Sequence, residues 1–234
     1  MPAIVALADV DLCNMALSHL GISNGIISLN PPDQSLAGQT CAFWYPKSRN
    51  FVLQSAPWNF AYTYTTLASD ASNVPNTTYA FPGWRYAYQM PNDCLQPIAV
   101  VTQSGIRFGA QFWSNWWWPY PSHNFALPKI PFKIFESTAT PGQLAIACDI
   151  NAVAQPVYLF YIACVTNTGL FDPMFSEALS YELASKIGGP LRADLQKIQS
   201  AAQTAQSKRL DALAQHMNAA QQDRERASPS ILTR

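Results

Sequence analysis

Helical periodicity occupies both ends of this chain and fades between them. A helix buries residues that recur every three to four positions, whereas a half-buried strand buries every second one. Residues 11–54 follow the first pattern, and residues 58–168 abandon it for prolines, aromatics and β-branched residues. The helical pattern returns after Asp172. The outer helices can then form a single bundle, with a strand-rich unit inserted between its halves. Insertion is tolerated where the two crossing points lie close together at a surface. The fold class expected is α+β: a helical bundle from the N- and C-terminal helices, carrying a small antiparallel β-sandwich or barrel.

The domain boundaries expected are residues 1–57 and 171–223 for the bundle and 58–170 for the β-rich domain. Residues 224–234 form a flexible C-terminal arm. In the first segment Asp11 can cap a helix with an apolar face of Leu12, Met15, Ala16 and Leu20, and Gly21 ends it. Asp33 or Ser35 can cap a second helix through Leu36, Ala37, Cys41 and Trp44. Pro46 should kink or break it, helix resumes over residues 47–54, and Pro57 closes it. Strand candidates are residues 84–89, 98–102, 107–112, 132–135, 144–148 and 157–164, with turns at Pro91-Asn92-Asp93, Ser104-Gly105 and Thr140-Pro141-Gly142. Tyr86 and Tyr88 alternate with Arg85, Ala87 and Gln89, as a half-buried strand requires. Asp172-Pro173 supplies an N-cap and first-turn proline for a helix with Phe175, Leu179, Leu183 and Ile187 inward, and Gly188-Gly189-Pro190 stops it. A last, Ala- and Gln-rich helix is expected over residues 194–222.

Charged residues are only 12% of the 234, against a usual share of roughly 25%. Hydrophobic residues make up 49%. Large obligate interfaces are depleted in charge, so extensive contacts with other subunits are one reading, and a neutral polar surface is the other. A formal net charge of zero gives no basic field for wrapping nucleic acid. No apolar run reaches the ~18 residues of a membrane span, and the start lacks the basic region of a secretory signal. The five cysteines are widely spaced, without a C-x-x-C pair, and are expected as buried reduced thiols.

Chemistry-bearing motifs are sparse. His19, His123 and His216 have no metal-ligand partner three or four positions away, so neither a metal nor a cofactor is expected. There is no phosphate-binding or nucleophile-elbow motif, and Gly188-Gly189 reads as a helix stop. Glu136 and Asp149 are the carboxylates available for a glycosidase-type pair, but Asp93 and Asp149 sit in turn contexts where they can bond backbone. The sharpest local feature is the aromatic loop 112–120, with Trp113, Trp116, Trp117, Trp118 and Tyr120. It could stack on sugar or single-stranded nucleic acid. No Arg/Lys cluster accompanies it, so subunit or partner contact is the expectation. Trp58 and Phe60 are expected at the junction of bundle and β-domain. Arg224, Arg226, Ile231 and Leu232 give the C-terminal arm a charged and an apolar anchor.

Several strings together carry a resemblance. They are Asp11-Leu12-Cys13-Asn14-Met15-Ala16-Leu17-Ser18-His19-Leu20-Gly21, then Ile27-Ser28-Leu29, Ser35, Cys41, Tyr45, Arg49 and Pro57-Trp58-Asn59-Phe60-Ala61. Next come Trp84-Arg85-Tyr86-Ala87-Tyr88-Gln89-Met90-Pro91-Asn92-Asp93-Cys94-Leu95 and Asp172-Pro173-Met174-Phe175, which leads into Ala178-Leu179-Ser180-Tyr181-Glu182-Leu183-Ala184. In order and spacing, from Asp11 to Gln203, the chain resembles the tail tubular protein A family of podovirus-type phages. Residues 106–131 and Pro46 depart from that pattern. The resemblance implies a non-enzymatic virion protein at the head-to-tail junction, assembled in the host cytoplasm. It implies a ring, usually of twelve subunits, between the portal and the nozzle protein. Tail fibres or spikes attach at its side, and double-stranded DNA passes through the channel without sequence-specific binding. The opposing reading is a carbohydrate-binding or hydrolytic phage tail protein, and a third is a monomeric binding module.

Overall fold

A computed structural model describes residues 7–56, 58–67, 83–102, 130–137, 141–152 and 156–226, with side chains described as far as residue 215. The chain is α+β and divides into two compact units. The first combines Met1–Ala61 with Cys164–Asn218, and the second contains Tyr62–Ala163. Among the described residues four α-helices contribute to the first unit: α1 (Asp9–His19), α2 (Leu36–Ser55), α3 (Pro173–Ile187) and α4 (Leu195–Arg226), the last as far as Asn218.

Helix α1 begins before Asp11, which therefore caps from within the first turn: its carboxylate accepts the Ala8 N–H at 2.9 Å. Leu12, Cys13, Ala16 and Leu17 face inward, and Gly21, at φ +76°, takes the left-handed conformation that ends the helix. Ser35 caps α2 by accepting the Gly38 N–H at 3.0 Å, while Asp33 accepts the Ile27 N–H at 2.7 Å in the preceding loop. Pro46 does not break α2, which is continuous through it. The missing N–H costs one ladder bond, and burial of Cys41, Tyr45, Val52 and Leu53 along the helix outweighs that loss. The inward face of α2 also differs from the Leu36–Ala37–Trp44 expectation: Leu36 is exposed and Trp44 half-buried.

Helix α3 follows its sequence signals. Asp172 accepts the Phe175 N–H at 2.6 Å, Pro173 occupies the first turn, and Phe175, Leu179, Leu183 and Ile187 are fully buried. Gly188 stops it where a side chain would have no room, since a Cβ there would lie 2.5 Å from Ile198 of α4. Helix α4 buries a stripe of small residues, Ala201, Ala205 and Ala212. It continues to Arg226, so Arg224 and Arg226 stand on the helix rather than in an arm beyond it.

The described residues of the second unit form two three-stranded antiparallel sheets, ordered β1-β6-β3 and β2-β5-β4. Their strands are β1 (Tyr62–Thr66), β2 (Tyr86–Gln89), β3 (Cys94–Thr102), β4 (Lys133–Glu136), β5 (Leu144–Cys148) and β6 (Val157–Ala163). Strand β1 was not among the expected strands, although its Tyr-Thr-Tyr-Thr-Thr composition suits one. Strand β3 starts earlier than expected because it is an edge strand, where Pro97 is accommodated between two register shifts. The alternation expected in β2 is incomplete: Ala87 and Tyr88 are both buried, so both faces of the strand are covered there. The strand expected at residues 107–112 lies outside the described residues.

Candidate functional site

The residues singled out by sequence fall into three groups. Trp113, Trp116, Trp117, Trp118 and Tyr120, and the arm residues Ile231 and Leu232, lie outside the described residues. Arg224 and Arg226 are placed by backbone alone. Trp58 and Phe60 are described in full, and both pack inside the helical unit. Trp58 is 1% exposed, meets Phe175 edge-on with ring centres 5.1 Å apart, and donates its indole N–H to the Val52 carbonyl at 2.8 Å. Phe60 packs on Phe171 at 5.6 Å and on Phe175 at 5.0 Å. This cluster ties the end of α2 to the start of α3.

A polar hollow lies where α1 ends. It encloses about 460 Å³ and is lined by His19, Tyr181, Asp194, Lys197, Ser200 and Thr204, among others. The His19 ring stacks on Tyr181, with centroids 3.9 Å apart and planes inclined by 12°. Its Nε2 is 3.1 Å from the Ser180 hydroxyl. That hydroxyl donates to the Glu177 carbonyl at 2.8 Å, so its single proton is committed, and His19 must donate to it. The pair therefore runs opposite to a general base activating a serine, and Ser180 is fully buried besides. Burial lowers the His19 pKa, against a smaller upward pull from Glu177. Lys197 donates to the Leu20 carbonyl at 3.3 Å, satisfying an open acceptor at the end of α1. The hollow is thus a polar seam holding α1 to α3 and α4. Sequence reasoning missed it, because His19 and Ser180 are 161 positions apart and no local pattern links them.

In the β-unit each notable carboxylate serves a turn or a tyrosine. Asp149 accepts the Arg85 N–H at 3.1 Å, and Glu136 accepts the Gly142 N–H at 3.0 Å. Asp93 receives the Tyr161 hydroxyl at 3.1 Å, and its charge assists burial in raising that phenol's pKa to about 12. Glu136 pairs with Leu144 across the sheet, and Asp149 follows the last residue of β5. Five residues of strand separate those positions by ~16 Å. Glycosidase carboxylates stand roughly 5–9.5 Å apart, so the fold does not assemble that pair.

Cys13, Cys41 and Cys148 are buried, Cys94 and Cys164 half-buried, and all five thiols are free. Among the described residues no group of three potential ligands could hold a metal ion, and no helix is long and apolar enough to cross a membrane. No protein-family model matches the chain, and no curated protein shows significant similarity to it.

Proposed function

We propose that the chain is a structural head-to-tail adaptor of a short-tailed phage. It forms a ring, of twelve subunits as the resemblance implies, between portal and nozzle, and leaves a channel for double-stranded DNA. The observation that carries this reading is the ordered set of motifs from Asp11 to Gln203. Other features support it: a helical unit built from both chain ends and interrupted by a β-unit, and a charged share of only 12%. Trp113, Trp116, Trp117, Trp118 and Tyr120 contact a neighbouring subunit or tail component in this reading, and Arg224, Arg226, Ile231 and Leu232 dock on the portal. No cofactor takes part.

The test is assembly. Purified full-length chain is mixed with portal and with nozzle protein, and the mass of each complex is measured by light scattering. Stoichiometric rings on the portal that then capture the nozzle are the expected result. A chain that stays monomeric in every mixture, or that cleaves glycans, overturns the proposal.

A further inference from the structure

Helix α2 carries a second apolar face. Its inward face holds Cys41, Tyr45 and Val52. On the opposite side Leu36 is 62% exposed, Phe43 58% and Phe51 48%. At 3.6 residues per turn these positions, together with Lys47, fall on one stripe. Cations gather on its second half. The Lys47 ammonium lies 2.9 Å from the centre of the Phe43 ring, and the Arg209 guanidinium is 4.9 Å from that of Phe51. Lys186 is 5.8 Å from Phe51. Among the described residues Glu182 alone pairs with two of these cations: it is 5% exposed and sits 3.4 Å from Lys186 and 3.3 Å from Arg209. Among the described residues no carboxylate lies within ion-pair distance of Lys47.

The chain before Lys47 has the opposite sign. It contains Asp9, Asp11 and Asp33 and no lysine or arginine. The loop leading into α2 holds Asp33 and the most exposed apolar side chain described, Ile27, at 89%. One helix therefore joins an acidic, apolar loop at its start to a cationic, aromatic stripe on its second half. Lys47, in the middle of the stripe, stands eleven residues past Leu36, the first residue of α2, ~17 Å along the helix axis from the loop.

We propose that the Phe43–Lys47–Phe51 stripe is a self-association surface and that its occupant is the Ile27–Asp33 loop of a second copy of this chain. Charge fixes the geometry. Two-fold pairing of the stripe with itself would set Lys47, Lys186 and Arg209 against their own copies, whereas loop on stripe sets Asp33 and Ile27 against cations and aromatics. The contact is head-to-tail, which closes into rings or extends into filaments rather than stopping at dimers. The inference rests on the ring reading above and names the surface that would build the ring.

The test uses full-length protein with exposed substitutions, so folding is spared. Sedimentation is measured over a range of concentrations at low salt, alone and on the portal. Wild type is expected to associate beyond dimers. Ile27→Lys and Lys47→Glu should each weaken association by at least about tenfold, and the double variant should recover most of the loss. Phe43→Ser should weaken it without any change in charge. Rings that form on the portal unchanged in all these variants would sink the surface but leave the adaptor reading standing. A wild type that never self-associates, alone or on portal, sinks both.

Discussion

His19 shows how a side chain without a ligand to bind can still govern behaviour. Its ring is stacked on Tyr181, donates to Ser180, and is partly buried where α1 ends. Burial lowers its pKa below the ordinary histidine value of 6.5, so the folded chain binds the proton less readily than the unfolded one. The sign follows: the contribution of neutral His19 is complete above 6.5 and is lost as pH falls through the folded pKa. Thermal unfolding followed by circular dichroism should therefore show wild type losing stability as pH falls below 6.5, ahead of the carboxylate range. His19→Gln keeps a donor for Ser180 but cannot titrate, and should lose less over the same window. Parallel curves for the two proteins would assign the acid sensitivity to another group.

At the level of elements, legibility in the sequence tracks how local the deciding interaction is. Helix α3 was readable because Asp172, Pro173, Gly188 and the four-residue spacing of its buried side chains all act within one segment. Strand β5 was readable as a short apolar run, and its bounds agree with the expectation. Strand β1 was not, because its five residues become a strand by pairing with β6, some hundred positions away. The inward face of α2 was misjudged because apolar residues lie on both sides of it, and only tertiary packing selects Tyr45 over Trp44. Continuity through Pro46 has the same origin. Proline costs about 3 kcal/mol relative to alanine inside a helix, and about 0.4–1 kcal/mol of that is offset by its restriction of the unfolded chain. Pro46→Ala, at an exposed position, is therefore expected to stabilise the protein by about 2 kcal/mol in urea unfolding. A loss of stability would show that the proline fits a backbone shape that alanine does not hold.

For the whole molecule, the two-unit division follows from the periodicity switch, and the crossing points explain why an inserted unit is tolerated. Tyr62 pairs with Ile162, so the chain leaves and re-enters the helical unit on adjacent strands, roughly 5 Å apart. The sheet order and the seam around His19 were not legible, because both depend on partners distant in sequence. The C-terminal end poses the remaining question, and its helix sets the terms. The buried stripe of α4 described is Ala201, Ala205 and Ala212. A truncation that ends well beyond Ala212 keeps this stripe and the packing it makes. Two shortened proteins, ending after Arg226 and after Gln222, separate the contributions proposed for the arm. The first lacks the Ile231-Leu232 anchor, and the second also lacks Arg224 and Arg226. Both should keep the helical circular dichroism and the midpoint of the full chain. Joining to DNA-filled heads should fall on the first truncation and fall further on the second, because each step removes a distinct set of portal contacts. Full joining activity in both shortened proteins would remove the docking role from residues 223–234 and leave the end of α4 as a helix with no partner assigned.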